Sequence, residues 1–469
     1  MTFFPKLIVL MWADLLALYV MWMMMFYLTN VWKLGFTHAA AIVNIFTGAW
    51  TMMLLPMEYL VDAFMGSYLI LLLSSISYSL GMGFLWMSTP PILGKSHGLC
   101  GEYLPECIGD EQRVLFYAGL ALIAIGLSGH LVSLGPFTAA QFTEDMLENM
   151  TGKSICIMFL FSYLAILVPF GSIIAISYVK AWSFRFGLSA LCTVVGTLVF
   201  FVGSCSYNYI GPQGSPLTTF FRVFYAAVSK IFYRRPKNVK DLYEIPDLDE
   251  HQLIPHSRSL SHWELIFSNP IKPPKRKTWS PPDPSHTSLC HIRLAKVEAR
   301  RLGIVISHGL IDKPDDKIPM SIFWLLPQFV LLGAVDGILE TSLCDFLMDQ
   351  VGPSMQGHIL QFAFGVLGMG HMGSVLAVYV AGKVSEKGGK IGWFQHTLNK
   401  SRLDKYYLTS AWLSAVNLGI YVVMALLFAY QKSRIEEDQE APEEEEDENV
   451  GGNGSQGPFQ DDAQCFCCC

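Results

Sequence analysis

Charge is scarce in this sequence. Only 15% of its 469 residues are Asp, Glu, Lys or Arg, while 52% are hydrophobic; soluble proteins carry about 25% charge. With 31 Phe, 21 Met, 19 Tyr and 11 Trp, the chain has too much apolar surface for one water-facing core to hide. An ordinary soluble globule is excluded. Other absences narrow the reading further. The 11 Cys show no disulfide-scaffold spacing: Cys100 and Cys107 share one short loop, Cys465, Cys467, Cys468 and Cys469 cluster at the end, and the rest are scattered through apolar stretches. No catalytic triad, glycine-rich phosphate loop or zinc-ligand pattern is present, so neither an enzyme nor a resident metal or cofactor is expected. The first apolar run is too long for a signal peptide and lacks a small-residue cleavage site. It is expected to remain as a membrane span.

What is there is a series of bilayer-length apolar stretches. Crossing a hydrocarbon core of roughly 30 Å takes about 20 apolar helical residues. Such stretches lie near 7–29, 38–57, 68–88, 114–135, 155–179 and 186–207, then near 320–342, 357–381 and 406–430. Nine spans are therefore expected in an all-α, multi-pass integral membrane protein. Residues 1–209 read as a six-helix bundle, 210–318 as a basic loop, 319–432 as a three-helix remainder, and 433–469 as an acidic disordered tail with a Cys-rich end. Of the 32 Lys and Arg, 17 fall between Ile210 and Ile318. With Pro273–Pro274, Pro281–Pro282 and Pro284 to break helices, that interval reads as a solvated cytoplasmic loop, a topology signal rather than a nucleic-acid patch. Six preceding spans then put the N-terminus on the cytoplasmic side too. If cytoplasmic, the terminal cysteines Cys465, Cys467, Cys468 and Cys469 are candidates for S-acylation.

Six segments, in order, resemble the plant nitrate/peptide transporter family, a branch of the proton-dependent oligopeptide transporters. They are Ala39–Gly48 (A-A-x-N-V-x-x-x-x-G), Asp62–Tyr68 (D-A-x-x-G-R-Y, with Ser67 for Arg), and Phe137–Phe142 (F-G-A-D-Q-F). The others are Gly214–Thr218, Pro319–Phe329 and Leu398–Asp404. The resemblance implies the twelve-helix major facilitator fold and movement of a small solute, nitrate, a peptide or another organic anion. It also implies a gap: Val297–Pro319 looks like the connection between helices nine and ten, so helices seven to nine are absent. The C-terminal bundle is then incomplete, and two readings stand. One is a carrier in a plasma membrane or an endomembrane such as the vacuole, with protons as the coupling ion in question. The other is a non-transporting truncated form that regulates or pairs with a full-length sibling. Losing three spans would reverse the last three helices. The six Lys and Arg of loop 382–405, against Glu386 and Asp404, favour that reversal by the positive-inside tendency.

Ionisable groups inside spans are expensive and mark ion or substrate paths. Four are candidates here, each with a hydrogen-bonded structural role as the alternative. Asp14 lies where the family carries E-x-x-E-R/K; Met11 and Leu15 replace its other charges, leaving a carboxylate expected to lack a cation. Leu131 takes the fourth-helix Lys position of peptide-transporting relatives, and His130 beside it is a titratable candidate. Asp336 falls at the family's tenth-helix Glu, with Glu340 one turn later on the same face. Asp62 and Gly66 belong to a conformational latch at the cytoplasmic end of helix two. Gly365, Gly368, Gly370 and Gly373 suggest close helix packing.

Overall fold

The computed structural model describes residues 4–89, 109–142, 152–209, 285–313, 316–350, 353–387, 392–395 and 397–440, with isolated residues between 211 and 225 and at 389. The chain divides into two compact units, Met1–Trp412 and Leu413–Cys469. The described part of the second is the remainder of one helix.

All nine expected spans are helical. The first is α1 (Phe4–Trp22) continued by α2 (Met24–Asn30), and the second is α3 (Phe36–Met52) continued by α4 (Leu54–Leu60). Then come α5 (Gly66–Met87), α6 (Asp110–Ala140), α7 (Gly152–Ser177) and α8 (Trp182–Val202). After the long interval follow α9 (Ser285–Ser307), α10 (Leu326–Gln350), α11 (Ile359–Ser385) and α12 (Leu403–Glu440).

Among the described residues, six stretches are long and apolar enough to cross a membrane, and one of them, Phe36–Met87, has 52 residues. As a straight helix it would reach about 78 Å, more than twice the hydrocarbon core. Instead it folds back. Val61–Met65 forms a π-helical turn and Gly66 takes φ 74°, a left-handed conformation that costs glycine nothing and other residues strain. Ala39 and Ile42 consequently share a core cluster with Tyr78, Met82 and Leu85, while Leu54 and Val61 meet Ile70.

The N-terminal bundle is pinned at both ends by aromatic clusters. At one end Tyr27, Trp32, Phe116, Trp182 and Phe186 interlock, with Tyr27 edge-on to Phe186 at 4.9 Å. At the other, Phe137, Phe200 and Tyr207 pack with Leu7 and Leu10. Between them α5 and α6 run in close contact: a Cβ at Gly126 would lie 2.6 Å from that of Tyr78, and one at Gly129 2.6 Å from that of Ser74. Small residues here bring two backbones together where the titratable groups lie.

Helix α11 lies antiparallel against α3–α4. Asn44 meets His371, Gly48 meets Gly368, Leu55 meets Gly365, and Asp62 meets His358. The expected packing role of the glycines therefore falls to Gly365 and Gly368; Gly370 and Gly373 face open space.

Two expectations are corrected. The interval 210–318 is helical at its end, in α9, because its prolines stop at Pro284 and none recurs before Pro314. Residues 433–440, expected in the disordered tail, belong to α12, which continues to Glu440 through Gln, Lys, Arg and Glu, all good helix formers, with no proline before Pro442. The terminal cysteines lie outside the described residues.

Candidate functional site

Asp14 and His130, two separate candidates in the sequence, are one pair in the structure. Helix α1 buries Leu10, Ala13, Leu16 and Ala17 against the bundle, which turns neighbouring Asp14 inward. On α6, Gly126 and Gly129 let α5 approach, and His130 follows at 4% exposure. The imidazole Nδ1 stands 2.8 Å from Asp14 Oδ2, and its Nε2 stands 2.7 Å from Ser75 Oγ. Tyr78 presents its ring to the imidazole edge-on at 5.6 Å. Asp14, expected to lack a cation, has a histidine as its partner; sequence alone gave no distance between residues 116 apart.

The Ser75 hydroxyl lies 2.6 Å from the Leu71 carbonyl and 2.7 Å from His130 Nε2, and it donates to one or the other according to the imidazole tautomer. The 2.8 Å contact on the other ring nitrogen then requires one proton between Nδ1 and Asp14 Oδ2. Neutral imidazole facing carboxylate, imidazolium facing carboxylate and imidazole facing carboxylic acid all place a proton there and differ in how many protons the pair holds. Asp14 Oδ1 and the Tyr78 hydroxyl are buried beside it without hydrogen-bond partners, leaving an acceptor and a hydroxyl open in the same place. Such orphaned groups in a low-dielectric interior are costly.

The adjacent surface is apolar. Met11 and Leu15 are each 40% exposed and Leu131 is 53% exposed. The three positions where the family pattern has charges therefore form open, uncharged surface, while the surviving polar pair points inward.

A second titratable group lies at the bundle's end. His358, just ahead of α11, has Nε2 3.0 Å from Asp62 Oδ2 and Nδ1 3.6 Å from Glu58 Oε1. Glu58 is 6% exposed. Asp62 thus meets a histidine from the far half of the chain, and Gly66 supplies the turn that follows it. Neither Glu58 nor His358 was evident in the sequence, although Glu58 sits one helical turn before Asp62 in an otherwise apolar run. Farther along the seam, the Asn44 amide donates to Ala40 and its carbonyl accepts from His371 Nδ1 at 3.1 Å. Asp336 and Glu340 both fall in α10, one turn apart, with side chains outside the described residues. No cluster of metal-ligating side chains occurs among the described residues.

A family model described as the POT family matches residues 68–269. The Arabidopsis thaliana protein NRT1/PTR FAMILY 5.5 is 30% identical, over 89% of this chain and 95% of its own. NRT1/PTR FAMILY 5.10 of the same plant is 24% identical, over 85% and 87%. The alignment to the former runs over 523 residues, more than the 469 of the whole chain, so that relative has sequence with no counterpart here. Among solved structures, the POT family transporter PepTSo matches with a TM-score of 0.56 at 14% identity, over 90% of this chain and 98% of its own. An auto-inhibited POT family peptide transporter matches with a TM-score of 0.55 at 16% identity, over 90% and 97%. At these identities the two structures establish the fold.

Proposed function

This chain belongs to the NRT1/PTR family of POT-type membrane transporters of small solutes, and from that membership we propose that it is a secondary carrier whose proton site is the Asp14–His130 pair. The observation that carries the proposal is the 2.8 Å contact of His130 Nδ1 with Asp14 Oδ2 inside the six-helix half. In this fold, carriers work by rocking two bundles about a site near the midplane. A proton held between two groups there can be gained or lost as access alternates, because taking it away leaves a bare carboxylate facing neutral imidazole in low dielectric. The unpartnered Asp14 Oδ1 and Tyr78 hydroxyl give water or the solute a place to bond beside it.

The uncharged surface of Met11, Leu15 and Leu131 bears on the solute. A fourth-helix Lys would hold a substrate carboxylate, and Leu131 offers none, so this surface does not suit a peptide and leaves nitrate or another small organic solute. The test is uptake in proteoliposomes with and without an inward proton gradient. Transport driven by the gradient, and abolished in Asp14→Asn with binding retained, is expected; gradient-driven uptake unchanged in Asp14→Asn overturns the proton-site assignment.

A second reading has its own support. The surplus of the 523-position alignment over the 469 residues of the chain favours an internal deletion of helices seven to nine, and a half-built second bundle suits a non-transporting partner of a full-length sibling. It predicts no uptake under any gradient and co-purification with such a sibling. The membrane in which either form resides, plasma membrane or vacuole, follows from reporter localisation.

A further inference from the structure

At the start of α10 the structure holds a cleft of about 410 Å³ lined by Arg293, Lys296 and Val297 of α9 and by Ser321, Phe323, Trp324, Pro327 and Gln328. Its electrostatics are one-sided. No carboxylate lines it, and Arg293 and Lys296 have no ion-pair partner among the described residues. Nearby cations are matched: Arg301 with Glu298 at 2.5 Å, Lys400 with Asp312 at 2.8 Å, Arg402 with Asp404 at 3.0 Å. Unmatched positive charge thus lines the cleft side of α9, where Arg300 also stacks on the Trp324 ring at 4.2 Å. The floor is polar. Gln328 is 6% exposed and its side-chain carbonyl oxygen is buried without a donor.

The rim is aromatic. Phe323 is 74% and Trp324 47% exposed, in the 3-10 turn Ile322–Leu325 that leads into the 25-residue α10, the position where aromatic side chains sit at the level of lipid headgroups. Positive charge beside interfacial aromatics at a span end is the chemistry that attracts anionic headgroups. A phosphate satisfies Arg293 and Lys296, and the hydroxyls of a polyol attached to it would give the Gln328 oxygen a donor.

We propose that this cleft binds the phosphate-polyol headgroup of an anionic membrane lipid, with Arg293 and Lys296 on the phosphate and Gln328 accepting from a hydroxyl. The site is separate from the Asp14–His130 pair and stands whether or not the chain transports.

The test uses the full chain in nanodiscs of phosphatidylcholine containing graded phosphatidylinositol, with bound lipid counted by native mass spectrometry and thermal midpoints recorded. Retention of phosphatidylinositol with a raised midpoint is expected, weakened about tenfold or more in Arg293→Gln/Lys296→Gln. Gln328→Leu is expected to bring phosphatidylinositol down toward phosphatidic acid, which has the phosphate but no polyol. Chromatographic and helical-content controls separate lost binding from lost fold. Equal retention by the native chain and the double variant, when both pass those controls, overturns the proposal. So does an equal midpoint rise with inorganic phosphate alone in detergent, which would make the cleft a soluble-anion site.

Discussion

Asp14 and His130 stabilise each other only as a pair. Removing the imidazole leaves a carboxylate whose second oxygen already lacks a partner, and breaking one side of a buried pair costs about 3–5 kcal/mol. His130→Ala should therefore lower the thermal midpoint in detergent by several degrees. Asp14→Asn should lower it less, because an amide still bonds Nδ1. The double substitution Asp14→Asn/His130→Ala should recover part of the loss, since the uncompensated charge is gone. A double variant no more stable than His130→Ala would show that the two residues act independently. The pair also shows where sequence reading stops. Each residue was legible as an ionisable group within an apolar run. Their contact was not, because it depends on α5 and α6 closing through Gly126 and Gly129, and on which face of α1 turns inward. The same holds for His358, whose importance comes wholly from Asp62 and Glu58, some three hundred residues earlier.

Helix positions, unlike contacts, follow from length and apolarity, and all nine expected spans are helical. Boundaries moved where apolarity was a poor guide. The eighth helix ends at Val202, before the aromatic residues Tyr207 and Tyr209, which pack beyond it. Helix α9 escaped a search for apolar runs because Arg293, Lys296, Arg300 and Arg301 give it an amphipathic, not a greasy, pattern. The seam of α3–α4 with α11 makes its own predictions. A Cβ at Gly368 would lie 2.5 Å from Thr51 Oγ1 and 2.7 Å from Met52 Cγ, so Gly368→Leu must push the helices apart. A loss of about 1–3 kcal/mol is expected from such overpacking, together with slower disulfide formation between cysteines at Asn44 and His371. Gly370→Leu, in open space, should change neither. At the seam's end the Asp62 carboxylate raises His358 above its ordinary value of 6.5, burial opposing. A raised folded-state value means the stabilisation is complete below about 6.5 and is lost as pH climbs through the raised value. The native chain should lose thermal midpoint as the pH is raised above about 6.5, and His358→Gln should lose less over the same range.

At the scale of the whole molecule, the seam fixes direction. Because α11 begins beside Asp62 and runs back along α4 and α3, its far end and the loop at 386–402 stand opposite the turn at 61–66. The backbone of Gly214 bonds the Asp62 carbonyl at 3.1 Å, so the chain enters the basic interval at the Asp62 end. Helix α10, which precedes α11, starts at the opposite end. This is the family orientation of the last helices. It sets the structure against the charge of the loop, whose Lys383, Lys387, Lys390, Lys400, Arg402 and Lys405 favour the cytoplasmic side. It also asks the interval to change sides without an apolar span. Side-resolved labelling decides between the two. Phe64, 62% exposed, and Lys387 are replaced singly by Cys and labelled with an impermeant maleimide in vesicles of each orientation, against the parent chain as background. The seam requires the two positions to react from opposite sides. Reaction from one side would mean that the basic loop has governed insertion. The α3–α11 contacts of Gly48, Gly368, Asn44 and His371 would then not form in the bilayer, since they exist only between antiparallel helices.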